Sequence, residues 1–175
     1  MISEKMAKAL NEQLNFEIYS SYVYVAMSSW LKSRNLNGFA HWMEVQVKEE
    51  LDHTMRFYTF LHDAGADVEF EAVPKPKKEW NDIVEVFEDT LHHEGLVTQR
   101  INKLIDLALE EKDHATNARL QWFITEQVEE EANVLSILQQ VKLIGDSPNA
   151  LLMLDRELGQ RSYTPPSDMN SITSA

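Results

Sequence analysis

Four glutamates and one histidine carry the chemistry that this sequence offers: Glu17, the pair Glu50-x-x-His53, Glu94, and Gln127-x-x-Glu130. Their spacing repeats. Glu17 stands 33 residues before Glu50 and 36 before His53, and Glu94 stands 33 before Gln127 and 36 before Glu130. A carboxylate followed by an i, i+3 pair thus occurs twice, with the copies 77 residues apart (94 − 17). One Glu-x-x-His on an acidic helix reads first as a solvated pair. Two spacing-matched copies that face inward read differently, because a buried lone carboxylate costs several kcal/mol or takes up a proton. Carboxylates converging inside a fold need a cation. Oxygen donors with one imidazole suit iron or another first-row divalent ion better than a soft metal. Glu17, Glu50, Glu94 and Glu130 together carry −4, the charge that neutralises two divalent ions.

The elements that must position these groups are four long helices. Ser3 can cap the first, which runs to about Arg34; the second opens at Asn37 or Gly38 and stops at Gly65, a left-handed cap. A third is expected from Trp80 or Asn81 to about Glu111, and a fourth from the Asp113 cap to Ile144, closed by Gly145. Ser147-Pro148 reads as N-cap and first position of a short fifth helix ending before Gly159. Steps of three and four trace one apolar seam per helix, such as Met6, Leu10, Leu14, Tyr24 and Leu31 on the first. Each seam is broken by acid near its middle. Glu17 and Gln127–Glu130 lie 12 to 15 residues from one bundle end, and Glu50 and Glu94 lie 12 or 13 from the other, so all four reach one level.

Residues 66–79 contain Pro74 and Pro76 and have no helical period. Their extended reach of about 46–50 Å exceeds the length of a 28-residue helix, about 42 Å, so they can cross the whole bundle. Helices two and three would then run parallel, with short hairpins elsewhere. The expected fold is all-α: a four-helix bundle with one long crossover and a short fifth helix. Residues 1–160 read as one domain, with the bundle over 4–145, the short helix over 147–158, and 161–175 a frayed polar tail.

Composition narrows the functions. The net charge is 16 − 29 = −13, which disfavours nucleic acid and anionic membranes as partners. The absence of Cys removes disulfides, thiolate metal sites and Cys nucleophiles. No apolar run is long enough to span a membrane and no secretory leader is visible, so a cytoplasmic location is expected.

With these residues in place the chain resembles the bacterial non-haem ferritins, over about residues 1 to 160. The resemblance implies a 24-subunit hollow shell that oxidises Fe(II) with dioxygen or peroxide and stores ferric mineral. It implies that Glu17, Glu50 and His53 hold a first iron, with Glu50 bridging. Glu94, Glu130 and the shared Glu50 would hold the second, with Gln127 outside it. Glu49, Glu126 and Glu129, beside Glu130, would form a third iron site facing the cavity. Tyr24, near the pair, would donate a hydrogen bond or an electron. Haem is not expected, since Asp52 stands where haem-binding relatives carry Met, and Gln127-x-x-Glu130 replaces their second Glu-x-x-His. The acids of the animal three-fold channel would fall at Asn117 and Leu120, neither of them acidic.

Other features have plainer readings. Trp122 reads as packing, and adjacent His92-His93 point about 100° apart, unsuited to chelating one ion. The fifth helix is too apolar for a lone surface helix, and self-association is favoured over packing on its own bundle. The alternative to a ferroxidase is a passive metal-buffering or structural subunit. A purely helical interaction protein would have seams apolar throughout.

Overall fold

The structure, a computed structural model, describes residues 1–165. Five helices follow in order: α1 (Glu4–Lys32), α2 (Asn37–Asp63), α3 (Ile83–Glu110), α4 (His114–Ile144) and α5 (Pro148–Leu158). Among the described residues there is no strand, and no helix is long and apolar enough to cross a membrane. The helix ends have local causes. Ser3, Asp113 and Ser147 each accept a hydrogen bond from the backbone three residues on, and Gly65 takes φ +73°. α3 begins at Ile83, later than the expected Trp80 or Asn81, because Asp82 is the cap: its carboxylate accepts from the Glu85 amide at 2.8 Å. Trp80 instead inserts into the core, edge-on to Trp30 at 5.8 Å.

α1 pairs with α2, α3 with α4, and α1 also packs on α3. Residues 64–82 form the crossover, and asparagines of α1 strap it down. Asn11 donates to the Asp67 carbonyl and accepts from the Glu69 amide; Asn15 does the same to Glu69 and Glu71. From there the segment follows α1 to Trp30, so α3 starts beside the end of α1 and runs parallel to α2. The ferritin-like connectivity expected from loop length is the observed one.

The core is two apolar blocks. One gathers Tyr24 to Leu31, Phe39 to Met43, Val86, Phe87 and Val134 to Val141; the other gathers Met6 to Leu14, Phe57, Leu61, Val97 to Ala108, Leu120 and Phe123. Between them lies a polar layer drawn from all four helices: Glu17, Gln46, Glu50, His53, Glu94, Gln127 and Glu130, all buried.

α5 packs on its own bundle, burying Leu154 and Leu158 against the first block, while Leu152 and Met153 face outward. Local packing, the less favoured of the two sequence readings, therefore holds for one face. Asp155 of α5 accepts from the Gly38 and Phe39 amides, capping α2, whose own N-cap Leu36 supplies no side-chain bond. The approach is so close that a Cβ on Gly38 would fall 1.5 Å from the Asp155 carbonyl oxygen. The frayed tail is corrected over its first residues: Arg161 and Tyr163 hydrogen-bond to α2, because α5 delivers them onto its acids. The rest of that tail, 166–175, lies outside the described residues.

Candidate metal centre

Glu17, Glu50 and His53 bring one donor atom each to within 4.8 Å of one another, all three buried. They come from two helices packed antiparallel, and the i, i+3 step puts Glu50 and His53 on the same face of α2. Their free atoms face inward: Glu17 Oε2, Glu50 Oε2 and His53 Nδ1 are buried with no hydrogen-bond partner. Buried polar atoms are normally satisfied, so three without a hydrogen-bond partner in one small space, with His53 Nδ1 at 3.6 Å from Glu50 Oε2, form a group that could hold a cation. The edges of Trp122 and Phe123 close on the His53 ring, at 5.5 and 5.7 Å between centroids.

The second hairpin completes the layer. Glu94 receives the Tyr24 hydroxyl on one oxygen and the Gln127 amide on the other, the latter at 3.1 Å. Gln46 donates to Glu130 at 2.9 Å. Burial, with Glu50 adjoining, holds the Glu17 carboxyl well above the usual carboxylate range, and Glu50 is raised likewise by burial and by Glu94. Burial, then the neighbouring Glu130, pushes Glu94 up to about 7. Burial and Glu94 raise Tyr24 far enough to keep it a phenol, a hydrogen-bond donor to Glu94. Without a cation Glu17, Glu50 and Glu94 resist ionisation.

The remaining sequence-derived residues fall as follows. Glu49 and Glu126 are partly buried and Glu129 is exposed, beside Glu130. Burial raises Glu126 and pushes Glu49 up to about 7, opposed at Glu49 by Arg161. Leu120, at a position where animal ferritins carry a channel acid, is buried in the apolar block. Asn117 accepts from Gln121 at 3.2 Å. His93 is buried against Phe16 and bonded to Ser20 at 2.8 Å, and burial lowers it to about 4.

Sequence reasoning missed the supports. Gln13 donates to Glu17 at 2.8 Å and is itself held by Arg100; Gln46 holds Glu130. A signal was available: each glutamine stands four residues before a seam glutamate, Glu17 or Glu50, one helical turn away.

Residues 7–144 match the family described as Ferritin-like domain. The chain belongs to that family. Among its relatives is a bacterial non-heme ferritin of Staphylococcus aureus, 39% identical over 163 residues, which cover 93% of this chain and 98% of the relative. One from Staphylococcus saprophyticus is 40% identical over the same length. Solved structures include an open-pore ferritin from the hyperthermophilic archaeon Archaeoglobus fulgidus, 48% identical with a TM-score of 0.92, covering 93% of this chain and 99% of that one. A closed form of the same ferritin, engineered by site-directed mutagenesis, has a TM-score of 0.93 at 48% identity over 94% of this chain and 100% of that one. The four-helix bundle with a short C-terminal helix is therefore a ferritin fold.

Proposed function

We propose that the chain is an iron-storage ferritin subunit with ferroxidase activity, in the cytoplasm and within a 24-subunit shell. The observation that carries this reading is the trio of buried donor atoms on Glu17, Glu50 and His53, gathered within 4.8 Å of one another and without hydrogen-bond partners. The iron is substrate and cargo. Glu17, Glu50 and His53 would take the first ferrous ion, and Glu94, Glu130 and the bridging Glu50 the second. Gln127 and Tyr24 hold Glu94 from outside. Each ferrous ion gives up one electron, dioxygen (or peroxide as alternative oxidant) receives the two, and the ferric ions leave as oxyhydroxide mineral. Glu49, Glu126 and Glu129 would receive a third ion on its way to the cavity, with Glu130 shared. Held by one amide on each of Glu94 and Glu130, and lacking a second imidazole, the second position would bind its ion loosely. That looseness suits an ion that passes on.

Aerobic addition of Fe(II), with ferric absorbance and sedimentation followed on the same sample, tests chemistry and assembly together. Glu50→Ala should slow initial oxidation more than Glu94→Ala does, by more than the about 10–100-fold that losing an outer partner costs a metal site. Oxidation at the wild-type rate in Glu50→Ala would remove the proposed centre.

A further inference from the structure

Beyond the end of α5, residues 161–163 lie along the face of α2 that carries Trp42, Gln46, Glu49 and Asp52. The Arg161 guanidinium is the main fastening. Its Nη2 meets Glu49 Oε2 at 2.7 Å, its Nη1 donates to Gln46 Oε1 and, at 3.3 Å, to the Trp42 carbonyl, and its plane lies over the Trp42 ring at 4.5 Å. The Arg161 carbonyl pairs with His41 Nε2 at 2.8 Å, and the Tyr163 hydroxyl donates to Asp52 at 2.6 Å. The same Gln46 that accepts from Arg161 donates through its amide to Glu130 Oε2.

A guanidinium is a cation at every pH of interest and forms directed bonds to carboxylates. On Glu49 it neutralises the charge that a metal cation would neutralise, and it occupies Oε2, one of the two oxygens such an ion would draw on. We propose that Arg161 is a built-in counter-cation for Glu49, which a third metal ion must displace. The proposal rests on the third-site reading above and adds its control. While the guanidinium is seated, the third position is weak and the buried pair fills first. An ion drawing on Glu130 also takes the acceptor from Gln46, and Gln46 is one of the groups that seats Arg161. Filling the pair therefore loosens the clamp on the next position. By linkage, an ion on Glu49 and a seated C-terminal segment exclude each other to the same degree in both directions.

The test uses zinc alone, which has no redox chemistry, on the intact assembled protein. Calorimetric titration is combined with crystals measured at the zinc absorption edge, for the wild type, Arg161→Gln and Arg161→Lys. Zinc should appear on Glu49 in Arg161→Gln at a concentration up to about fivefold lower than in the wild type, the size of a partly exposed ion pair. In the wild type loaded to saturation, the guanidinium should have left Glu49. Arg161→Lys, which keeps the charge, should behave nearer the wild type. Equal midpoints in wild type and Arg161→Gln, or zinc on Glu49 with the guanidinium still seated, would overturn the proposal. So would a lysine variant that behaves as the glutamine one, since packing and not charge would then be responsible. Zinc at the Glu17–Glu50–His53 trio but never near Glu49 in any variant would sink the third-site reading and the clamp with it.

Discussion

Glu94 has its carboxylate fully enclosed, with the Tyr24 hydroxyl on one oxygen and the Gln127 amide on the other. Its carboxyl, moved from 4.5 to about 7, binds a proton in the fold over a range where the unfolded chain has released it. Stability of the metal-free protein must therefore fall as pH rises from about 4.5 to about 7, with the cost constant above. The shift corresponds to about 3 kcal/mol if the whole displacement is realised. Glu94→Gln removes the ionising group, so calorimetry in chelator should find its melting temperature advantage over the wild type growing across that interval. A difference that stays flat with pH would show that Glu94 ionises freely in the empty layer. Glu17 and Glu50 act in the same direction, and bound cations reverse all three.

At the level of helices, α5 is both lid and cap. Gly38→Ala should push Asp155 off the start of α2, exposing two amides and opening the Leu154–Leu158 contact. A loss of about 2–4 kcal/mol follows from combined capping and packing losses, and urea unfolding would measure it. Asp155→Ala, which removes the cap alone, should lose about 1 kcal/mol. If both variants unfolded at the wild-type urea concentration, the α5 contact would be ornamental. The level of the polar layer was legible because helices convert sequence spacing into height, and the repeated 33 and 36 needed no tertiary knowledge. Turn chemistry at Gly65, Asp113 and Ser147-Pro148 was legible for the same reason: cap and capped group are neighbours in sequence. Asp155 on Gly38, Arg161 on Glu49 and Asn15 on Glu71 were not. Those bonds join single polar residues 56 to 117 positions apart, where no period announces a partner.

For the molecule as a whole, the outward side of α5 leaves Met153 72% and Leu152 50% exposed, with Leu143 at the end of α4 88% exposed. Three large apolar side chains near one end of the bundle are the place to look for a neighbouring subunit. Replacing Leu152 and Met153 with Glu should leave helical circular dichroism intact while light scattering falls to a smaller particle. An unchanged particle mass would mean that this face is not where copies meet. The two apolar blocks carry a different lesson. Parting the helices at either end would wet leucines and phenylalanines, whereas parting them at the carboxylate level would wet groups that prefer water. Of the three levels of the empty bundle, the waist is thus the one where separating the helices exposes least apolar surface.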